Sequence, residues 1–469
     1  MMPWIARRIV YPLQELACRR PTFGYLDALE RSQWLSREEL EALQCRKLNR
    51  LFAIALAHCP WHARRLREAG LAERIAAAAV ELADLARLPR MDKQDARRHR
   101  DELMWRDVPG GAFRYNTGGS SGEPLIFHFG RERQASDAAG RMRARRWWGV
   151  EPGEREAYLW GAPVELAKTD RIKTLRDRLI NQLVLNAFAM SPARMDEYLD
   201  ALVAWRPVCL YGYASSVALL AAHAEARGRA PLGLPRLRVV CTTGEPLYPH
   251  QRELIARAFG VPVANEFGSR DVGFTAHDAP GEAMLLLSES HVLEVLAEDG
   301  TPCAPGVAGE AVITGLTSSA QPFIRYRTGD VVSLATRRDP GGRGLHVLET
   351  VSGRQTDFVV HEDGTIMHAL AVIYVLRAID GVDRFKCVQR TRRAMEVFVV
   401  PNSRWQADAA QQLVRGLQAR LGAGVAIELH LVDDIAPEAS GKHRYVVSHV
   451  QPDAALAAAQ TSPVDHESR

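Results

Sequence analysis

Residues 116–124 read Asn-Thr-Gly-Gly-Ser-Ser-Gly-Glu-Pro, a run made largely of glycines and hydroxyl side chains. Glycine lets a backbone turn tightly enough for several N–H groups to converge on an anion, and the hydroxyls add further donors. These residue types at this spacing suit phosphate, although no Gly-Lys-Ser/Thr closes the run as it does in a Walker loop. An ordinary surface turn has the same composition. Both readings stand until the rest of the chain is considered.

A second chemical signal is Ala439-Ser440-Gly441-Lys442-His443-Arg444. Lysine occurs only at 47, 93, 168, 173, 386 and 442, six of the 60 basic residues, the others being arginine. A chain that writes arginine almost everywhere places a compact, mobile ammonium after Ser-Gly, and an ammonium does different work from a planar guanidinium. A solvated loop lysine is the plainer alternative. Four more segments could share one purpose. Thr242-Thr243-Gly244-Glu245-Pro246 ends an expected strand, where ligands of α/β sheets gather. Asn265-Glu266-Phe267-Gly268-Ser269-Arg270-Asp271 offers an aromatic face and carboxylates. Arg325-Tyr326-Arg327-Thr328-Gly329-Asp330 presents a carboxylate at an expected turn, suited to a ribose diol, and Gly353-Arg354-Gln355-Thr356-Asp357 sits at an expected domain boundary. Each alone reads equally well as a turn.

The elements that must position these groups follow from periodicity. Residues 36–70 show helical spacing of Leu40, Leu43, Leu48, Leu51, Ile54 and Leu56, with Ser36 and Glu39 forming a capping box and Gly70 as the stop. Another helix is expected from Asp92, with Asp95 three residues on. Apolar runs at 125–127, 208–211, 237–241 and 261–263 predict strands, and 214–227 and 249–259 predict helices. That alternation predicts an α/β core. From residue 284 the texture is β-rich (284–287, 292–296, 311–313 and 331–334). A smaller unit then reads as strand 358–360, turn 362–364, helix 369–379, strand 395–400, helix 407–421 and strand 425–431. The expectation is a large α/β domain with a β-rich subdomain over 1–352, a small α+β domain over 353–450, and a frayed polar tail over 451–469.

Composition narrows the class. At 469 residues more than one domain is expected, and 47% apolar with 25% charged residues is globular. A net charge of +4 with scattered arginines does not imply nucleic acid. The seven cysteines lack metal-type spacing, which favours reduced thiols and a cytoplasmic location. No stretch has the roughly 18 apolar residues of a membrane span. Residues 1–10 are apolar but broken by Arg7 and Arg8, so they fail as a secretory signal. They predict a short amphipathic helix packed on its own domain, with a position on a membrane surface as the alternative.

Taken in order, the segments 116–124, 243–246, 266–271, 326–330, 353–357 and 440–444 resemble the adenylate-forming (acyl-AMP) ligase superfamily. Within it the chain is similar to the phenylacetate–coenzyme A ligase-like branch that includes capsular-polysaccharide-cluster proteins. Leu88-Pro89-Arg90-Met91-Asp92-Lys93, His58-Cys59-Pro60-Trp61-His62, Gly212-Tyr213-Ala214-Ser215 and 441–448 carry the same resemblance, which runs from about 30 to 450. It implies that Thr117, Gly118, Gly119, Ser120, Ser121 and Gly122 wrap the ATP phosphates. Gly244, Glu245 and Pro246 would border adenine, with Glu266, Phe267 and Gly268 beside it, Phe267 against its face. Asp330 would hold the ribose hydroxyls with help from Arg354. Asp271 stands where the family usually has a magnesium-binding glutamate, and a carboxylate with phosphate oxygens is how Mg2+ is normally held.

The implied reaction begins with a carboxylate attacking the α-phosphate of ATP, with Lys442 swinging in on the mobile small domain to neutralise charge. That domain then rotates about 353–357 to bring coenzyme A to the acyl-adenylate. An amine or carrier-protein thiol is the alternative acceptor, and a catalytically silent binding homologue is the alternative of another class. Trp147, Trp148, Trp160, Tyr211 and Tyr213 flank the expected acyl pocket, for which Trp160, Tyr213 and Ser215 are the chosen candidates; they suit an aromatic or apolar acid, although such residues also build cores. Relatives often carry a structural zinc, but neither corresponding region here, 275–278 or 338–345, contains a cysteine, so no zinc is expected. The expected partners are a small carboxylic acid and a second copy in a homodimer, with no nucleic acid and no integral membrane segment.

Overall fold

A computed structural model describes residues 2–116, 125–161, 177–281, 283–352, 358–435 and 445–450. Residues 117–122, Arg354, Lys442 and the tail 451–469 therefore lie outside the described residues. Among those described, one eleven-stranded sheet organises the larger part of the chain. It opens with five parallel strands in the spatial order Gln182–Asn186, Glu156–Trp160, Cys209–Tyr213, Val239–Thr243 and Val263–Ser269. Antiparallel strands then continue it through Gly273–Ala279, Ala283–Leu286, Val347–Ser352, Tyr326–Leu334, Gly309–Gly315 and His291–Leu296. The mixed α/β class is the one the sequence predicts. Helices cover the parallel half, where strands must be buried on both faces. Every residue from Ala214 to Ala224 of the helix Ala214–Ala226 is buried, as expected for an element apolar all round.

Local rules explain most boundaries. The expected helix over 36–70 is two, Arg37–His58 and Pro60–Glu68, because Pro60 cannot donate to the preceding turn. The reciprocal Ser36–Glu39 capping box is present, and Gly70 stops the second helix at φ +67°. The capping box at Asp92 and Asp95 opens Lys93–Arg98. The strand expected at 261–263 instead begins at Val263, past Pro262, and runs on through Ser269. The C-terminal part forms a four-stranded sheet in the order Ala426–Leu431, Ala394–Pro401, Val382–Thr391 and Val446–Ser448, packed by helices Leu370–Ala378 and Ala409–Leu421.

Several buried histidines predict a fold that loses stability in acid. His62 is 1% exposed, with Nε2 3.0 Å from the Pro322 carbonyl and Nδ1 3.0 Å from the Arg65 guanidinium. Burial, then the Arg65 charge, pushes its pKa down to about 3. Burial, then Arg37, lowers His346 to about 4, and burial is the main cause of the lowering at His277 and His291. In the unfolded chain each titrates near about 6.5. Their contribution is therefore complete above about pH 6.5 and is lost as pH falls toward the folded values, by at most about 1.4 kcal/mol per pH unit per histidine. The urea midpoint is expected to drop between about pH 7 and about pH 5. A midpoint that held or rose would contradict this account.

Candidate active site

The carboxyl ends of the parallel strands open on a cavity of about 1090 Å3. Three sequence-distant segments meet there. Gly244, Glu245 and Pro246 follow Val239–Thr243; Glu266, Phe267 and Gly268 end the next strand; Asp271 lies just beyond; and Asp330 comes from Tyr326–Leu334. Gly244 has φ +79°, which favours glycine, and a Cβ there would come within 3.2 Å of the Tyr213 ring, a tight approach. Asp330 was expected in a turn. It sits instead in a bulged strand: Arg327 pairs with Val312 and Val331 with Glu310, so residues 328–330 stand opposite Ala311 alone. Gly329, at φ +76°, and the Thr328 hydroxyl, bonded to the Ala311 carbonyl at 3.0 Å, shape the bulge.

Asp271 is only 4% exposed yet contributes to the cavity wall. Tyr326 donates its hydroxyl to Asp271 Oδ2 at 2.8 Å and Ser269 donates to Oδ1. Burial alone would raise the carboxyl pKa. The ammonium of Lys93, then the Ser269 and Tyr326 hydroxyls, override it and hold the group below the usual aspartate value. Asp271 is thus an anion at neutral pH. Its loop is clamped from behind by the buried Arg133 guanidinium, which donates to the carbonyls of Asp271 and Arg270. One fixed carboxylate fits Mg2+ if phosphate oxygens and water complete the shell. Among the described residues no group of three or more His, Cys, Asp or Glu could hold an ion alone.

Glu266, 6% exposed, accepts from Arg141 Nε at 3.2 Å, the Tyr211 hydroxyl at 3.1 Å and the Thr243 hydroxyl at 3.4 Å. Trp160 stacks on Tyr213 with ring centroids 4.3 Å apart, and both face the cavity. Ser215, expected in the acyl pocket, is instead placed to hold Glu245: its backbone N–H and hydroxyl both donate to Glu245 Oε2. Trp147 and Trp148 serve packing, their indole N–H groups bonded to Gln33 at 2.8 Å and to the Asp278 carbonyl at 2.9 Å. Farther along the wall, Arg145 pairs with Glu156, and Tyr158 bridges Arg145 at 2.8 Å and Glu156 at 3.1 Å.

Lys93, Arg133 and Arg141 were given no role from sequence. The scarcity of lysine could have flagged Lys93 as it flagged Lys442. Arg133 and Arg141 carried no such signal among so many arginines.

Comparison with known proteins follows the same lines. The CapK C-terminal domain family matches residues 359–449. Protein CapK of Staphylococcus aureus is 21% identical over 79% of this chain and 82% of its own length. The phenylacetate–coenzyme A ligase of Thermus thermophilus is 26% identical over 74% of this chain and 77% of its own. Among solved structures, 2-hydroxyisobutyryl-CoA ligase in complex with its acyl-AMP and CoA has the same fold, with a TM-score of 0.58 at 21% identity over 89% of this chain and 91% of that one. These relatives and the matched C-terminal family support the adenylate-forming ligase superfamily for this chain. Within it they support the phenylacetate–coenzyme A ligase-like branch, to which both relatives point.

Proposed function

We propose that this protein activates a small carboxylic acid with ATP, forming an acyl-adenylate and pyrophosphate, and passes the acyl group to coenzyme A. The observation that carries this reading is the convergence of Pro246, Phe267, Asp271 and Asp330, from three separate segments, on one cavity. Phe267 offers an apolar face to adenine, and Asp330 offers a carboxylate to the ribose hydroxyls. Asp271, kept anionic, would share Mg2+ with the phosphates; the ion would screen charge there. Lys93 faces the same carboxylate and adds positive charge where phosphoryl oxygens become more negative.

The acid would lie against the Trp160–Tyr213 stack, with its carboxylate toward the phosphates. Because the wall beyond carries Arg145, Glu156 and Tyr158, the reading favours an acid with a polar tail over a purely apolar one. Residues 117–122, Arg354 and Lys442 complete the proposal as phosphate loop, ribose partner and mobile cation. Residues 1–352 and 353–450 would be the two domains that close over the substrates.

ATP–pyrophosphate exchange across apolar, aromatic and hydroxylated acids tests the reading. Exchange that depends on one acid class is expected. Absence of exchange with every acid, in protein that still binds ATP, would overturn it in favour of a silent binding homologue.

A further inference from the structure

The first residues form a continuous helical segment, Pro3–Ile5, Ala6–Val10 and Tyr11–Ala17, whose middle part is a π-turn. Its cause is local. Pro12 has no N–H to give the carbonyl of Arg8, and its ring crowds that turn; the wider turn, closed by Tyr11 N–H to the Ala6 carbonyl, relieves both. A π-turn inserts one residue into the helical phase, so positions five apart across it share a face. Ala6, Tyr11 and Glu15 accordingly form the buried face. Trp4, Ile9, Leu13 and Leu16, spaced five, four and three, form the opposite face, and all four are exposed, from 44% at Ile9 to 73% at Leu16.

The inner face is firmly seated. The Tyr11 hydroxyl accepts from Gln182 at 3.3 Å, Arg7 pairs with Glu151 at 3.1 Å, and Glu15 is held by Arg20 and Thr22. The backbone at Arg7 approaches Gly153 so closely that a Cβ there would lie 2.7 Å from the Arg7 nitrogen. The outer face is thus displayed on a fixed support.

Charge identifies its occupant. Over residues 2–26 the only carboxylate is Glu15, which is buried, whereas Arg7, Arg8 and Arg19 are exposed. Among the described residues Arg8 and Arg19 have no carboxylate partner. Exposed indole and aliphatic side chains flanked by arginine match the interfacial layer of an anionic bilayer. A second copy fits less well, because an isologous contact would bring these uncompensated cations together.

We infer that residues 2–20 are an interfacial anchor that seats the protein on an anionic membrane surface, with Trp4, Ile9, Leu13 and Leu16 entering the headgroup layer. The inner face of the same helix lines the large cavity through Tyr11, Gln14 and Glu15, so the anchor sets the cavity beside the bilayer. This inference does not depend on the reaction proposed above.

Co-sedimentation with phosphatidylcholine vesicles, with and without phosphatidylglycerol, tests it on the full chain. The parent should partition onto the anionic vesicles, weakly onto the neutral ones, and less as salt rises. The Ile9→Glu/Leu13→Glu variant should lose about tenfold or more of that partition, and Arg8→Gln about fivefold. The Leu431→Glu variant, altering an exposed apolar residue elsewhere, should bind like the parent. Leu16→Gln supplies a milder probe should the double variant fold poorly, and an unchanged melting temperature certifies either. No binding to anionic vesicles, or equal binding by folded outer-face variants, would overturn the inference. So would a parent dimer that Leu16→Gln or the double variant turns to monomer, which would assign the face to self-association.

Discussion

Replacing Lys442 with alanine is expected to slow acid-dependent pyrophosphate release by about a hundredfold to a thousandfold, leaving ATP binding in place. Loss of one charge-stabilising group in a site shielded from water costs about 3–4 kcal/mol of transition-state stabilisation. The ammonium is wanted only while charge builds on the phosphoryl oxygens. Thioester formation from a pre-made acyl-adenylate should therefore be spared, because that half-reaction would use the other orientation of the 353–450 region. Lys442→Arg should rescue little, since a broad guanidinium does not reproduce a point charge. Equal loss of both half-reactions in folded protein would refute the alternating-domain account. Full retention of both would return Lys442 to the surface and strengthen the silent-homologue reading.

The second large effect is at Asp271. Asp271→Asn keeps the shape and can still accept from one of the Ser269 and Tyr326 hydroxyls, its NH2 donating to the other, but removes the charge that faces Lys93. Acid-dependent pyrophosphate release is expected to fall about a hundredfold, with a raised magnesium requirement and little change in melting temperature. Asp271→Glu keeps the charge and should retain or exceed parent activity. Parent-like rates in Asp271→Asn at limiting magnesium would remove this residue from the site.

What the sequence disclosed depended on how local the cause was. The helix Pro249–Phe259 matches its predicted span because proline at the start and Gly260, at φ +69°, at the end are signals carried by the residues themselves. The strand Val382–Thr391 was missed because its buried and half-buried positions do not alternate cleanly, and its pairing slips between Val382 and Arg384. In the candidate site, Phe267, Asp271 and Asp330 were legible as motif residues. The contacts of Arg133 with residues 270 and 271 were not, since they join positions more than 130 apart in sequence. Nothing local distinguishes a buried clamp from any other arginine on a helix.

The bulge that carries Asp330 also constrains how this chain can change in length. Three residues stand against one, so the excursion adds an even number of residues, and side chains before and after it keep the same in-and-out phase. A single deletion or insertion within 328–330 would reverse that phase for the rest of the strand. Val332, wholly buried, would exchange environments with Val331, which is 43% exposed. Evolution along this segment is therefore quantised: losses or gains of two residues can leave the β-rich core intact, whereas a change of one must be compensated on the neighbouring strand.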